Sequence, residues 1–388
     1  MKIINDIFDT KEQFHNSYVA IGTFDGIHYG HQQLIEAAVE KAKENKGVSV
    51  VFTFANHPME IIDASKTPKC INTLEEKIYI LENMGIDYLI LQPFNKKFAD
   101  LTAIEFVEIL KKDVDTKEIF VGFNFSFGEG GKAKTKDLIE IGKSMEIKVN
   151  EIPAVILDKQ IISSTLIRKS IQHGEFEKVN KYLGHQFLII GEVIHGKKIA
   201  RQLGFPTANI KLSNRLYPPF GIYGAMVKIE GEDIERYGVV NIGVNPTLKP
   251  GERSVEVHIL DFDGDIYGKK IYVEIMKFMR DEKKFSSIDE LKKVIGNDVK
   301  NPTRIRARIT AGKFVPDIYV VTLSDNPGNI LEILPAGMLV QRSARATCPL
   351  IVGMARGKSG AIQMVQDMIE QVYTETGNFK IKEYLKNR

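Results

Sequence analysis

Cysteine is scarce in this chain of 388 residues: Cys70 and Cys348 are the only two, far apart and without metal-ligand spacing around either. That count excludes a disulfide framework and a cysteine-built zinc site, and it favours a reducing compartment. An excess of one charge is lacking too, since 53 basic side chains meet 50 acidic ones for a net charge of +3. Such a balance gives no overall pull toward nucleic acid or an anionic membrane, so neither is expected as a partner, although local basic clusters can still meet phosphates. No stretch reaches the roughly 18 apolar residues of a spanning helix. Met1 to Thr10 carries acids where a signal peptide or membrane anchor would carry an apolar run. A soluble, cytoplasmic protein is expected, long enough for two or three domains that each bury a core.

What is present centres on Gly22-Thr23-Phe24-Asp25-Gly26-Ile27-His28-Tyr29-Gly30-His31. The apolar run Tyr18 to Ile21 before it reads as a buried strand, and Gln32 to Asn45 after it carries Leu34, Ile35, Ala38, Val39 and Ala42 at helical spacing. A glycine-rich junction between strand and helix lets backbone approach a ligand and offers free N–H groups to an anion. His28 and His31 fall on one side of the first helical turn. A nucleotide phosphate fits such a place, although many glycine turns after strands bind nothing.

Strand-like and helix-like segments alternate up to about residue 182, with strands at Val48 to Phe54, Tyr88 to Leu91 and Ile119 to Val121. Helical spacing recurs at Leu74 to Met84, Phe106 to Lys112 and Asp137 to Met145. This alternation predicts a mostly parallel sheet covered on both faces, with ligands beyond the carboxyl ends of its strands. Three loops stand at such ends: the opening turn, Thr53-Phe54-Ala55-Asn56-His57-Pro58, and Gly122-Phe123-Asn124-Phe125-Ser126-Phe127-Gly128. Ser163-Ser164-Thr165-Leu166-Ile167-Arg168 opens a further helix, where hydroxyls ordinarily cap free N–H groups.

Together these four segments resemble the FMN adenylyltransferase module of bacterial bifunctional riboflavin kinase/FAD synthetases, within the Rossmann-like nucleotidyltransferase superfamily. The resemblance implies an ATP site from Gly22, Phe24, Asp25, Gly26, His28, His31, Ser164, Thr165 and Arg168. His28 and His31 would contact the phosphates, and Ser164, Thr165 and Arg168 would steady the departing pyrophosphate. Asn56, His57, Pro58 and Asn124 would border the nucleotide or the flavin phosphate. The chain departs from the family pattern at Asn56, where proline is usual, and at Asn124, where aspartate is usual and a negative charge is thereby lost.

From about 183 to 300 the pattern changes to closely spaced strands with glycine and proline between them, at Phe187 to Ile194, Ile222 to Ile229, Tyr237 to Ile242, Ser254 to Leu260 and Lys270 to Met279. A small antiparallel barrel is expected. In Arg201-Gln202-Leu203-Gly204-Phe205-Pro206-Thr207-Ala208-Asn209, a hydroxyl and a carboxamide two residues apart could give oxygens to magnesium, or the loop is simply stiffened by its proline. Glu256 and His258 share one face of their strand, either toward solvent or with Glu256 as a general base. These segments resemble a riboflavin kinase domain. The resemblance implies ATP binding by Gly196, Arg201, Gly204, Pro206, Thr207 and Asn209, Mg2+ on Thr207 and Asn209, and flavin contacts by Glu256, Arg280 and Phe285. Glu256 would take the proton of the ribityl 5′-hydroxyl. Two other readings stay open: a nucleotidyltransferase for another phosphate, which would not carry the barrel loop, and a flavin-binding regulator.

The resemblance ends near residue 300. A basic linker over 301–316 precedes strands at Ile318 to Leu323, Ile330 to Leu334 and Leu350 to Val352, then a helix over Gly360 to Tyr373. An α+β extension over 317–388 is expected. Gly353 to Gly360 is one residue short of a phosphate loop and also reads as a plain strand–turn–helix.

Overall fold

The structure is a computed structural model that describes residues 1–195, 206–232, 234–244, 253–260, 262–281, 318–324, 329–340, 348–378 and 380–386. Two compact units divide the chain: Met1–Ile190 with Ser213–Pro219, and Gly191–Leu212 with Phe220–Arg388.

The first unit is built on six parallel strands: β1 (Lys2–Ile4), β2 (Ser17–Ile21), β3 (Val48–Phe54), β4 (Tyr88–Gln92), β5 (Thr116–Gly122) and β6 (Lys148–Ile152). They lie in the order β1-β4-β3-β2-β5-β6. Every residue of β2 is buried, as a strand covered on both faces requires. Val19 and Ile21 enter one core with Phe106, Leu110 and Leu138, while Tyr18 and Ala20 enter the other with Leu34, Ile35 and Ala38. The period of two along the strand thus feeds two helical layers. Helix α1 (Tyr29–Glu44) covers one face, and α3 (Ala103–Asp113) and α4 (Thr135–Ser144) the other.

Helix α2 (Leu74–Glu82) starts on a capping box formed by Thr73 and Glu76. Helices α5 (Ser164–Gln172) and α6 (Phe176–Leu183) follow β6. The edge strands β1 and β6 carry too few apolar residues to be read from sequence, whereas the predicted central strands appear close to their expected places. The chain leaves β2 for β3 and β4 on one side and resumes with β5 on the other. This reversal opens a crevice at the carboxyl end of β2, where Gly22 to His31 sit.

In the second region six antiparallel strands close a barrel in the order β7-β8-β11-β10-β9-β12. They are β7 (Phe187–Ile194), β8 (Ala208–Ile210), β9 (Gly221–Ile229), β10 (Glu235–Val244), β11 (Arg253–Ile259) and β12 (Lys270–Arg280). Alternate residues fill the interior, among them Tyr223, Ala225, Val227, Val240, Ile242, Val255, Val257, Ile271 and Val273. The short β8 was not expected, because two of its three residues belong to the Pro206-Thr207-Ala208-Asn209 segment. Ser287 to Ile295, a stretch whose residues read as helical, lies outside the described residues.

The extension is an antiparallel sheet of β13 (Ile318–Leu323), β14 (Leu331–Pro335) and β15 (Ile351–Arg356), in the order β14-β13-β15, followed by α7 (Gly357–Thr376) and α8 (Ile381–Lys386). Cys348 packs beside its core of Ile318, Val320, Ala336 and Leu339. Gly353 stands inside β15, and a Cβ there would come within 2.6 Å of Met364 and Met368. The glycine therefore admits the helix against the sheet. The phosphate-loop spelling reflects that packing, since β15 runs directly into α7.

Candidate functional site

In the first unit the turn after β2 is held from beneath. Phe24 and Ile27 are fully buried, and both take left-handed backbone, with φ of 47° and 40°. For bulky side chains, and above all for a β-branched one, this is strained. Burial of the two side chains holds the strain in place. Gly26 takes φ of 87°, the one glycine of the turn that uses its conformational freedom. Gly22 serves by size, because a Cβ there would lie 3.1 Å from the Phe24 ring; at Gly30 it would lie 3.4 Å from the His28 ring.

His28 is the N-cap of α1, its Nδ1 accepting from the His31 N–H at 3.4 Å. The two imidazoles stack with centroids 3.6 Å apart, and the Phe24 ring meets His31 edge-on. Burial pulls the His28 pKa down to about 4, against a smaller opposing pull from Asp25. His31 is held well below the usual histidine range by burial and then by His28. His31 Nδ1 is buried with no hydrogen-bond partner. A pair of neutral histidines beside free helix N–H groups is ready to accept an anion.

The sign of these shifts gives an expected result. An unfolded histidine takes its proton near pH 6.5 and folded His28 near 4, so the unfolded chain binds more protons across that interval. Stability of this unit is present above pH 6.5 and is lost toward pH 4, by about 3 kcal/mol from His28 alone. Urea unfolding at pH 7 and at pH 4.5 checks this, and His28→Asn, which keeps an N-capping side chain, should flatten the dependence. Equal stability of the unaltered chain at both pH values would contradict the assignment.

Asp25 joins the turn to α5. Its Oδ2 accepts from Arg168 Nη2 at 2.5 Å, its Oδ1 accepts from the Ile71 N–H at 2.8 Å, and its carbonyl accepts from Ser164 Oγ at 2.9 Å. Arg168 Nε also donates to the Lys69 carbonyl at 3.1 Å. Ser163 caps α5 by accepting from the Leu166 N–H, and Thr165 is exposed on the first turn. The fold thus brings the two segments expected to meet phosphate into direct contact. Phe24 supports the turn through its buried ring.

His57 Nδ1 accepts from the Met59 N–H at 3.1 Å, which fixes its ring over the helical turn that Pro58 begins. Asn56 brackets the backbone of one residue, donating to the Phe94 carbonyl at 3.0 Å and accepting from the Phe94 N–H at 2.9 Å. This side-chain clamp between the loops after β3 and β4 supplies the rigidity that a proline would have given. Asn124 is exposed in the loop after β5. Sequence reasoning passed over two residues here. Lys77 reaches from α2 to donate to the Thr23 carbonyl at 2.8 Å, and half-buried His185 places Nε2 3.1 Å from the Gly26 carbonyl. A lysine on a helix and a histidine before a strand carry no local motif.

In the barrel, Glu256 lies between two asparagines, paired across the strands with Asn209 on β8 and with Asn241 on β10. Thr207 Oγ1 donates to Glu256 at 3.4 Å. Val255, Val257 and Ile259 are buried in the interior while Glu256 and His258 take the other face. His258 Nδ1 lies 2.8 Å from the Pro206 carbonyl, which ties the loop to β11. Pro206, Thr207, Asn209, His195 and Tyr267 border a cavity of about 410 Å3. Asn241 Oδ1 is buried without a hydrogen-bond partner, a carboxamide the sequence reading did not assign.

Hydroxyl, carboxamide and carboxylate oxygens gathered on one face suit a hard cation such as Mg2+, which is usually bound by few side chains together with substrate phosphates. Arg280 ends β12; Gly196, Arg201, Gly204 and Phe285 lie outside the described residues.

The FAD synthetase family model matches residues 10–166 and the riboflavin kinase model residues 183–305. A bifunctional riboflavin kinase/FMN adenylyltransferase of Bacillus subtilis is 37% identical over 304 residues, which is 76% of this chain and 94% of that protein. Its counterpart in Escherichia coli K12 is 34% identical over 300 residues, 77% of this chain and 96% of that protein. A solved structure named as a macrolide-efflux protein from Streptococcus pneumoniae superposes with a TM-score of 0.67 at 32% identity, covering 77% of this chain and 97% of that one. Among the described residues here, no helix is long and apolar enough to cross a membrane.

Proposed function

Because the chain belongs to the bifunctional riboflavin kinase/FMN adenylyltransferase family, we propose that it makes FAD in two ATP-dependent steps, one in the barrel and one at the crevice of the parallel sheet. The observation that carries the second assignment is the Arg168–Asp25 contact, which joins the His28/His31 turn to the start of α5.

In the barrel, riboflavin is phosphorylated to FMN. Glu256 takes the proton of the ribityl 5′-hydroxyl as that oxygen attacks the γ-phosphorus of ATP, and the bond from that phosphorus to the bridging oxygen breaks to release ADP. Thr207 and Asn209 would hold Mg2+, which would supply neutralisation of phosphate charge. We assign ATP binding to Pro206 together with Gly196, Arg201 and Gly204, and flavin binding to Arg280 and Phe285.

At the sheet, a phosphate oxygen of FMN attacks the α-phosphorus of ATP, and the bond to the pyrophosphate oxygen breaks. The protein's part is alignment and charge neutralisation. His28 and His31 hold the phosphates, and an incoming anion favours their protonation. Ser164, Thr165 and Arg168 steady the leaving pyrophosphate. His57 and Pro58 border the nucleotide, Asn56 fixes their loop, and Asn124 offers a carboxamide to a ribose hydroxyl without adding negative charge beside FMN. We place the enzyme in the cytoplasm, a reading supported by the free thiols of Cys70 and Cys348.

Replacing His28 and His31 together by alanine should leave riboflavin phosphorylation intact and make FMN accumulate, with FAD formation down about 100-fold or more. Chromatography of the flavins after incubation with ATP and Mg2+ checks this. Unchanged FAD output from the double variant would overturn the role given to the pair.

A further inference from the structure

The turn after β2 carries a cation that the motif residues do not account for. Lys77 stands on α2, far in sequence from Gly22 to His31, and its Nζ donates to the Thr23 carbonyl at 2.8 Å. Its charge reaches Asp25 and Cys70, and it acts also on His31 and His57. Asp25 does not neutralise it by direct contact, because that carboxylate is occupied by the Arg168 guanidinium and the Ile71 N–H. An ammonium has three protons to donate, and a single carbonyl is its hydrogen-bonding partner here. Burial lowers the Lys77 pKa from that of an ordinary lysine, with Asp25 pulling the other way. Holding a half-buried cation beside one neutral acceptor costs free energy, and Asp25 offsets that cost only across space, without a direct contact. The nearby His31 Nδ1 is also buried and without a partner.

We propose that Lys77 is a phosphate ligand of the adenylyl-transfer step, its ammonium neutralising the charge that builds on the α-phosphoryl oxygens and the departing pyrophosphate. The inference rests on the second-step reading above and adds a catalytic residue to it. The helix that presents Lys77 is fixed at its start by the Thr73–Glu76 capping box, so the amino group is placed before the nucleotide arrives. No proton need move: one P–O bond forms, one breaks, and Lys77 remains an ammonium throughout. Preorganised donors of this kind act mainly on the transition state.

The test uses the full chain with Lys77→Met, Lys77→Gln and Lys77→Arg, FMN and ATP as substrates, and inorganic pyrophosphate as a product inhibitor. The two neutral variants should lower kcat for FAD formation about 100-fold or more. The KM for FMN should stay within about twofold, pyrophosphate inhibition should weaken about tenfold, and arginine should restore most of the rate, as expected of a group acting on the leaving phosphates. Phosphorylation of riboflavin in the barrel should be unchanged, and the urea midpoint of the parallel-sheet unit should hold. The proposal is overturned if the neutral variants keep kcat within about threefold. It is equally overturned if their loss of rate follows a loss of stability while pyrophosphate inhibition is unchanged, since Lys77 would then only tether Thr23. Failure of the unaltered chain to make FAD from FMN would instead count against the second-step reading itself.

Discussion

A chain carrying Glu256→Gln is expected to make almost no FMN from riboflavin, with the rate of phosphorylation down by about 100- to 10,000-fold, the range for loss of a general base. Glutamine keeps the size of the side chain and an oxygen to accept from the Thr207 hydroxyl, which lies 3.4 Å from Glu256. It cannot take a proton. Alternation along β11 puts Val255, Val257 and Ile259 in the barrel interior, so the substitution leaves the core untouched and the barrel should fold. FMN supplied from outside should still become FAD, because the proposed residues of that step are His28, His31 and Arg168. Flavin chromatography with riboflavin or FMN as starting material separates the two steps in one protein. Normal FMN formation by this variant would remove Glu256 from the chemistry.

The second large effect concerns stability. Arg215 and Glu76 form an ion pair with both side chains fully buried. Arg215 also donates to the carbonyls of Leu188, Leu216 and Ile71 and lies 4.6 Å over the Phe187 ring. Glu76 accepts from the Thr73 and Ile190 N–H groups besides its arginine. Arg215→Met fills similar space but leaves a buried carboxylate without its cation, and the cost should be about 3–5 kcal/mol for the parallel-sheet unit.

Adding Glu76→Gln removes the stranded charge and keeps an acceptor oxygen for one of the two backbone N–H groups, which Glu76 binds through different oxygens. The double variant is therefore expected to recover part of the loss. A double-mutant cycle by urea unfolding gives the coupling directly. Additive losses would show that the pair is not energetically linked. The Ile71 peptide connects this cluster to the site, since its carbonyl accepts from Arg215 and its N–H donates to Asp25.

Much of this was legible in the residues. Val48–Phe54 and Tyr88–Gln92 announce central strands because both of their faces must be apolar, and α1 shows its buried stripe at Leu34, Ile35, Ala38, Val39 and Ala42. The edge strands Lys2–Ile4 and Lys148–Ile152 bury little and left no such trace. Motif residues could be assigned because their spacing along the chain reflects a local turn. Lys77, His185 and Arg215 could not, because each meets its partner only through the tertiary fold. The glycines of the turn read as places where backbone can approach a ligand; in the structure Phe24 and Ile27 carry left-handed backbone alongside Gly26, while Gly22 and Gly30 make room for rings. Asn56 is a departure from the family pattern whose reason appears only in its two bonds to Phe94.

The central claim is that one chain carries out both steps, and the most direct test is a product assay. Purified full-length protein incubated with riboflavin, ATP and Mg2+ should yield FMN first and then FAD, with pyrophosphate released in equal amount to the FAD. Conversion that stops at FMN would contradict the function assigned to Gly22–His31 and Ser164–Arg168, and formation of neither flavin would contradict the account as a whole.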